Sequence, residues 1–334
     1  MTTVSAYALT EQGGQLEVFQ YELGDLSPTQ VDVKISSCGI CHSDLSMMQN
    51  DWEMTQYPLV PGHEVVGTVE AVGEAVTHLK PGDTVGVGWT SGSCMSCHQC
   101  MSGDHNLCAD SQGTIVGRHG GFADRIRAES GWTVKIPTGV DPLSAGPLFC
   151  GGITVFNPIV QHNVRPFDRV AVVGIGGLGH IALQFLAKWG CEVTAISTSP
   201  SKEEKAKKLG AHHFINGKDG DALKDAAGNF DFVLSTVNVE LDWDAYINML
   251  GPKGHLHLVG AAPQVSSGVF PLILGQKTIG GSPIGSPATV SIMLDFCARH
   301  QIAPHIRTFE MNKVNEALDV LKNESPAERL VLTR

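Results

Sequence analysis

The chain has 334 residues, enough for two domains, and its 42% hydrophobic and 17% charged residues exclude a mainly disordered protein. A net charge of −11 argues against nucleic acid and anionic membranes as partners, because both would repel it. The first residues do not resemble a signal peptide, and no run reaches the roughly 18 apolar residues of a membrane span, so we expect a cytoplasmic protein.

Short strand patterns dominate the first part of the chain. Apolar residues alternate, or nearly alternate, at 16–19 and 31–35, and further strand patterns cover 65–72 and 83–87. Runs of short strands without intervening helices predict a barrel-like β domain. A short helix is predicted over 44–49, directly after the sequence Cys41-His42-Ser43.

Three separate segments of the chain carry ligands that suit zinc. Cys41 and Cys150 offer thiolates, and His63 offers an imidazole. Three protein ligands of this kind are typical of a catalytic zinc ion, whose fourth position stays open for water or substrate. Nine cysteines in a chain without an export signal favour metal binding or catalysis over disulfides. Three cysteines lie outside the predicted zinc sites and are expected to be buried apolar residues: Cys38, Cys191 and Cys297.

Four more cysteines lie close together in a loop that is rich in glycine and polar residues. Cys94, Cys97, Cys100 and Cys108 are separated by two, two and seven residues. Four thiolates can close a tetrahedral shell around zinc, which predicts a structural site. A redox Cys-x-x-Cys motif is the alternative, but that motif belongs at the start of a helix that follows a strand.

The chain changes character near residue 150. A buried-strand pattern at 169–173 leads into the glycine-rich turn Gly174-Ile175-Gly176-Gly177-Leu178-Gly179, and a helix is predicted over 178–189. Such a turn between strand and helix holds the pyrophosphate of a dinucleotide at the helix N-terminus. The pattern continues with helices at 200–209 and 243–250 and with strands at 192–196, 213–215, 231–235, 255–259 and 277–281. Six strands with intervening helices predict a doubly wound parallel sheet.

The end of the second strand of this sheet bears on the choice of dinucleotide. An NAD-specific fold places an acid there for the ribose 2′-hydroxyl, but this chain has Ser197, Thr198 and Ser199, followed by Lys202. Hydroxyl donors, a helix N-terminus and a lysine favour a 2′-phosphate. An ordinary capped helix with a solvated lysine is the alternative. Because the acid is also absent, we favour NADPH.

With these motifs, the chain resembles the zinc-containing medium-chain alcohol dehydrogenases, and within them the cinnamyl-alcohol-dehydrogenase-like branch, which includes bacterial NADPH-dependent broad-specificity aldehyde reductases. The resemblance runs nearly end to end. It implies an α/β protein with a GroES-like β-barrel catalytic domain at 1–149 and 286–334, including a structural-zinc lobe at 92–109. A Rossmann domain with a doubly wound parallel sheet is implied at 150–285, together with two zinc ions per chain.

The resemblance also implies roles for residues near the zinc. Glu64 corresponds to a glutamate that can approach the metal, and Asp44 to a carboxylate that orients the ligand histidine. Ser43 corresponds to the hydroxyl that exchanges a proton with the reacting oxygen. Many relatives finish this proton relay with a histidine where this chain has Ser46, so the last step passes through Ser46 or water. His42 has counterparts that face the cofactor phosphates.

Other positions correspond to residues around the cofactor. Thr154 matches a residue beside the nicotinamide, and Arg329 matches a basic phosphate contact. The loops that line the cofactor contain Thr236, Val237, Asn238, Val259, Gly260, Ser282 and Ile284. The remaining histidines, including the pairs His212/His213 and His255/His257, are expected to be surface or packed residues.

The implied function is hydride transfer between NADPH and aromatic or medium-chain aliphatic aldehydes, with primary alcohols oxidised in reverse. Zinc would polarise the aldehyde carbonyl. Trp52 and Trp89 are either walls of the substrate pocket or simple core residues. The family forms homodimers by joining the edges of the cofactor sheets, and its bacterial members often form homotetramers.

Two other functions compete with this one. An NAD-dependent polyol or general alcohol dehydrogenase has the same fold, but the missing acid at Ser197 and the tryptophan pair argue against it. Zinc-free quinone reductases are excluded if the three zinc ligands bind metal. A non-catalytic protein that binds zinc and nucleotide is the second competitor, and the intact Ser43 argues against it. A count of two zinc ions per chain would support the enzyme.

Overall fold

A computed structural model describes residues 2–324 and 328–334, and the chain forms two compact units. The first unit comprises Met1–Ile153 and Ile284–Arg334, and the second comprises Thr154–Pro283. Among the described residues, no single helix is long and apolar enough to cross a membrane. One bent pair, Pro142–Phe149 with Gly151–Gln161, meets that test by length and composition alone.

The first unit begins with short strands, as its alternating pattern predicts. The strands are β1 (Thr3–Ala8), β2 (Glu17–Glu22), β3 (Gln30–Ile40), β4 (Glu64–Val72), β5 (Thr84–Val87), β6 (Thr90–Gly92), β7 (Gln112–Gly113), β8 (Arg125–Glu129) and β9 (Val134–Lys135). The helices are α1 (His42–Gln49), α2 (His98–Met101) and α3 (Pro142–Ala145). Single 3₁₀ turns are formed by His105–Leu107, Ser130–Trp132 and Gly146–Phe149.

The second unit alternates strands and helices. Its strands are β10 (Arg169–Val173), β11 (Glu192–Ser197), β12 (His213–Asn216), β13 (Phe230–Ser235), β14 (Leu250–Leu258) and β15 (Thr278–Gly281). Helix α4 (Gly151–Gln161) leads into it, and the others are α5 (Gly179–Trp189), α6 (Glu203–Lys208), α7 (Gly220–Asp225), α8 (Trp243–Asn248) and α9 (Phe270–Gly275). The six strands pair in parallel in the order β12-β11-β10-β13-β14-β15, which confirms the predicted doubly wound sheet.

The last part of the chain returns to the first unit. It contains α10 (Pro287–His300), β16 (Ile306–Glu310), α11 (Val314–Glu324) and β17 (Arg329–Thr333). Strand β17 pairs antiparallel with β3, so the end of the chain joins the main sheet of the first unit, in the order β16-β17-β3-β4-β5-β9 with β8 also on β3. The core of this unit includes Val31, Val33 and Ile35, which alternate along β3.

The predicted helix at 200–209 differs from the one observed. A 3₁₀ turn at Pro200–Lys202 precedes the shorter helix α6. The short helices α7 and α9 have no counterpart among the predicted elements, because α7 buries only Leu223 and α9 buries no residue, so neither has an apolar stripe with a helical period.

Candidate active site and metal centres

The ends of neighbouring strands bring the predicted catalytic zinc ligands together. Cys41 caps the N-terminus of α1 directly after β3, and His63 precedes β4, which pairs with β3. Cys150 follows the 3₁₀ turn Gly146–Phe149. Gly39 of β3 lies opposite Glu64 of β4, and a Cβ atom at Gly39 would overlap the Glu64 carboxylate. A glycine at this position therefore makes room for the Glu64 side chain.

The donor atoms of this cluster have the spacing of a tetrahedral zinc shell. The Sγ atoms of Cys41 and Cys150 are 3.8 Å apart, and Nε2 of His63 is 3.3 Å from Sγ of Cys150. Zinc–sulfur bonds of about 2.3 Å place two sulfurs of a tetrahedron about 3.8 Å apart. One ligand atom from Glu64 lies within 4.8 Å of the other three. Two thiols and an imidazole with this spacing fit a zinc ion.

The Asp44 carboxylate forms hydrogen bonds that position this cluster. It lies 3.0 Å from Nδ1 of His63 and accepts 2.9 Å hydrogen bonds from the N–H groups of Cys41 and Gly62. Burial disfavours the charged imidazolium, but the Asp44 carboxylate and the neighbouring Cys41 together outweigh this effect and raise the pKa of His63 well above its usual value. The same contact directs the proton to Nδ1 and leaves Nε2 free as a metal ligand.

The two thiols of the cluster have different affinities for a proton. The hydrogen bond between them, helped by the nearby charge of Arg329, lowers the pKa of Cys41 well below its usual value. The same hydrogen bond, together with burial, raises the pKa of Cys150. Without a metal the pair therefore retains a shared proton, which metal binding would displace.

Arg329 is buried and its guanidinium contacts the Glu64 carboxylate. Burial raises the pKa of Glu64 to about 7, although the charge of Arg329 acts in the opposite direction. One carboxylate oxygen of Glu64 makes no hydrogen bond within the described residues. This contact with Glu64 is the feature of the site that motif reading missed, because residues so distant in the chain give no local signal. The expected phosphate contact of Arg329 stays a prediction.

Ser43 and Ser46 are both half-buried and lie three residues apart on α1, so they share one side of the helix. Sγ of Cys41 lies 3.8 Å from Oγ of Ser43, which places this hydroxyl beside the predicted zinc ligands. His42 is exposed at the start of the same helix.

The two predicted pocket tryptophans lie next to each other. The Trp89 ring meets the ring of His63 edge-on at 5.0 Å, and the Trp52 ring lies 5.7 Å from that of Trp89. Trp89 also packs against the core of the first unit, whereas 39% of Trp52 is exposed. Trp89 thus packs against the core and also contacts His63, and the pocket role of both tryptophans stays a prediction.

The four cysteines of the lobe form a second cluster. The Sγ atom of Cys94 is 4.0 Å from that of Cys100 and 3.5 Å from that of Cys108, and Cys97 and Cys108 are 3.8 Å apart. Backbone N–H groups of Ser96 and Cys97 lower the pKa of Cys94 to about 6, which favours the thiolate. Four thiols at tetrahedral spacing fit a structural zinc ion.

The glycine-rich turn lies at the carboxyl end of β10. Gly174 has φ +89°, and a Cβ atom there would meet Cγ1 of Val237 at 2.5 Å. A Cβ atom at Gly179 would overlap the carbonyl oxygen of Gly174, whereas one at Gly176 would meet nothing within 4 Å. Two glycines therefore serve the packing of the turn, and Gly176 leaves an open approach. This arrangement fits a dinucleotide pyrophosphate at the start of α5, near Gly177 and Leu178.

Several predicted cofactor residues converge on this turn. The hydroxyl of Thr236 donates to the carbonyl oxygens of Val173 and Gly174, at 3.0 and 2.9 Å. A Cβ atom at Gly260 would overlap the backbone of Val237, so the loops after β13 and β14 pack closely. Asn238 and Val259 belong to these two loops. The remaining residues of this group lie on α4 (Thr154), after β15 (Ser282) and in the first unit (Ile284).

The predicted 2′-phosphate residues lie beside the same turn. Nζ of Lys202 donates a 3.0 Å hydrogen bond to the carbonyl oxygen of Ile175. Oγ of Ser197 accepts one of 3.3 Å from the N–H of Ser199, and Thr198 between them is exposed. The end of β11 therefore offers hydroxyls and a cation, and no carboxylate.

Comparison with known proteins agrees with this geometry. Residues 27–138 match the model of the alcohol dehydrogenase GroES-like domain, and residues 177–299 match that of the zinc-binding dehydrogenases. The chain is 51% identical to an aldehyde reductase, AdhA, of Synechocystis sp., over 99% of this chain and 98% of that protein.

Two solved structures are similar over almost the whole chain. The first is a cinnamyl alcohol dehydrogenase from Sorghum bicolor, with a TM-score of 0.94 and 34% identity. The second is the CAD from Helicobacter pylori complexed with NADP(H), with a TM-score of 0.90 and 28% identity. Each alignment covers 99% of this chain and 98% of the other.

Proposed function

The chain belongs to the zinc-containing medium-chain alcohol dehydrogenases, and we propose that it is an NADPH-dependent reductase of aromatic and medium-chain aliphatic aldehydes. Its activity as a zinc-dependent alcohol dehydrogenase or aldehyde reductase follows from that membership and from the clustered ligands Cys41, His63 and Cys150. The same active site oxidises primary alcohols in the reverse direction, because catalysis lowers the barrier both ways.

The end of β11 is the observation that carries the choice of NADPH. A carboxylate at Ser197 would hydrogen-bond the ribose of NADH and repel a 2′-phosphate, but the position holds a hydroxyl. Lys202, held at the glycine-rich turn by its bond to Ile175, adds a positive charge on the same side of the sheet. The NADP(H) bound to the Helicobacter pylori relative supports the same choice.

In catalysis, each residue of the zinc site has a separate task. When bound, zinc supplies Lewis acidity to the carbonyl oxygen and the dinucleotide supplies hydride. Asp44 keeps the imidazole of His63 in the ligating tautomer. The hydroxyl of Ser43 delivers the proton that the product oxygen needs, and Ser46 or water replaces that proton. The buried pair of Glu64 and Arg329 balances charge beside the thiolates.

We expect two zinc ions per chain. The cluster at Cys41 would hold the catalytic ion, and Cys94, Cys97, Cys100 and Cys108 would hold the structural one, because each set matches the donors and spacing that zinc takes. Since Asp44 supports only the first set, loss of one ion need not release the other.

We also propose that the protein assembles as a homodimer or homotetramer. Strand β15 ends the parallel sheet and pairs only with β14 among the described residues. Helix α9, close to it in the chain, exposes Phe270, Ile273 and Leu274 by 66–71%. An open sheet edge beside an exposed apolar helix is a surface suited to a second copy of the chain.

The test compares initial rates with NADPH and NADH, using benzaldehyde as substrate, for the wild type and for Ser197→Asp. We expect the wild type to prefer NADPH and the variant to lose that preference, because the new carboxylate repels the 2′-phosphate. A wild-type preference for NADH would contradict the proposed cofactor and favour an NAD-dependent alcohol or polyol dehydrogenase.

A control variant tests whether the change in cofactor preference is specific to position 197. Asp219→Asn lies in the same unit on an exposed helix cap, and it should leave the ratio of the two rates unchanged. No turnover with either cofactor, in protein shown to hold two zinc ions, would contradict the enzymatic function itself and favour a binding protein.

A further inference from the structure

Three histidines form a cluster in the second unit, apart from the glycine-rich turn and the cysteine clusters. His255 and His257 lie two residues apart on β14, so their side chains point to the same face of the sheet. His162 follows the C-terminus of α4, and the centroid of its ring lies 3.9 Å from the ring centroid of His255 and 4.8 Å from that of His257. Sequence reasoning expects surface or packed histidines here, but packing alone does not require three imidazoles together.

On β14, one ring nitrogen of His255 faces one ring nitrogen of His257. Nε2 of His255 is 3.1 Å from Nδ1 of His257. Their outer nitrogens are occupied by hydroxyls, since Nδ1 of His255 is 2.6 Å from Oγ1 of Thr278, and Nε2 of His257 is 2.9 Å from Oγ of Ser282. A hydroxyl can accept as well as donate a hydrogen bond. Both outer nitrogens can therefore carry the protons, which leaves both inner nitrogens with a lone pair.

His162 supplies a third nitrogen. Its Nε2 atom is buried and makes no hydrogen bond within the described residues, which is costly for a polar group. One ligand nitrogen from each of the three histidines lies within 4.8 Å of the others. Zinc–nitrogen bonds of 2.0–2.1 Å place two ligands of a tetrahedron about 3.3 Å apart. The ligand nitrogens would have to approach one another by at most about 1.5 Å to complete the shell. Rotation of the partly exposed His162 ring can supply this movement.

Burial makes the three histidines of the cluster weaker bases than exposed histidines. Burial and the neighbouring His162 lower the pKa of His255 to about 4, and burial with both other histidines lowers that of His257 to about 3. Burial also lowers the pKa of His162.

We propose that His162, His255 and His257 bind a borderline divalent transition-metal ion such as Zn²⁺, with water as the fourth ligand. Three neutral imidazoles suit zinc, copper and nickel rather than calcium or magnesium. The ion links His162, which follows α4, to the two histidines of β14, and so stabilises the second unit. Thr278 and Ser282 orient two of its ligands, as hydrogen-bonded partners do in other metal sites.

The test counts zinc in the purified holoenzyme after equilibration with Zn²⁺ and gel filtration, and then measures Zn²⁺ affinity by calorimetry. We expect one equivalent per chain beyond those of the two cysteine-containing sites. In His162→Gln this equivalent should bind at least about tenfold more weakly, because a ligand is lost. Added Zn²⁺ should raise the unfolding temperature of the wild type more than that of this variant.

Two further variants keep the test decisive. Thr278→Val retains all three histidines and removes only the hydroxyl at His255, and it should weaken the extra equivalent by about tenfold. His213→Gln removes an exposed histidine that pairs with Glu192, and it should bind like the wild type. The assignment is overturned if the wild type takes up no extra equivalent, or if His162→Gln or Thr278→Val binds it with wild-type affinity.

Discussion

At the scale of single residues, Asp44 illustrates how one carboxylate organises a metal site. It is fully buried, yet it contacts His63 and the backbone N–H groups of Cys41 and Gly62, so its charge is balanced by three donors. Two of those three residues, Cys41 and His63, are predicted zinc ligands. Its effect should therefore appear in metal retention more than in the fold of the chain.

The first prediction replaces this carboxylate. Asp44→Asn keeps the size of the side chain but offers only one acceptor oxygen, so zinc affinity at Cys41, His63 and Cys150 should fall by about 10- to 100-fold. Zinc release to a chromophoric chelator measures this loss, and the structural zinc should remain bound. Asp83→Asn, which changes a half-buried carboxylate paired with Lys135, is the matched control and should retain both ions. Equal release from the two variants would contradict the role of Asp44.

The second prediction separates the two serines of α1. Ser43→Ala should lower kcat by about 100-fold or more, because it removes the proton donor, while zinc content stays unchanged. Ser46→Ala should have a smaller effect, since water can take its place in the relay. Steady-state rates together with zinc counts measure both. If Ser46→Ala lost as much kcat as Ser43→Ala, the proton would have to pass through both hydroxyls.

At the scale of elements, the turn between β10 and α5 uses its glycines for different purposes. The absent side chain of Gly179 lets the helix start against the carbonyl of Gly174, and Gly174 itself needs φ +89°. Gly176 has neither a positive φ nor a close neighbour, so packing gives no reason for a glycine there. A bound pyrophosphate gives one, because the backbone must approach it closely.

The third prediction uses this contrast. Gly179→Ala should destabilise the protein by about 1–3 kcal/mol through overpacking. Gly176→Ala should leave the free energy of unfolding within about 0.5 kcal/mol of the wild type and weaken dinucleotide binding by about tenfold or more. Urea unfolding and quenching of tryptophan fluorescence by NADPH measure the two effects. Gly220→Ala, at another open glycine, should change neither quantity. Wild-type NADPH affinity in Gly176→Ala would show that the pyrophosphate lies elsewhere.

At the scale of the whole molecule, the fourth prediction concerns assembly. Leu274 on α9 is 71% exposed, and Leu274→Lys should disrupt the proposed contact between cofactor sheets because it introduces a charge. Light scattering after gel filtration should then show a smaller assembly than in the wild type. Val18→Lys changes a residue that is 73% exposed on β2 and should leave the assembly intact. Identical masses for the wild type and Leu274→Lys would place the interface elsewhere.

The sequence alone was sufficient to predict the fold class and the chemistry of this protein. The spacing of Cys94, Cys97, Cys100 and Cys108 predicts their cluster, because local backbone geometry brings residues so close in the chain together. The glycine-rich turn predicts β10 and α5 for the same reason. Donor chemistry suggested Cys41, His63 and Cys150 as one ligand set, and the family resemblance supported this grouping, since no local rule links residue 41 to residues 63 and 150.

Only the tertiary structure decided which distant residues meet. Arg329 reaches Glu64 because β17 pairs with β3, and β3 pairs with β4, across almost the whole chain. His162 meets His255 and His257 because the end of α4 lies over β14, a contact that no periodic pattern records. Periodicity and spacing report local geometry, whereas such contacts depend on strand order and on the packing of helices against the sheet.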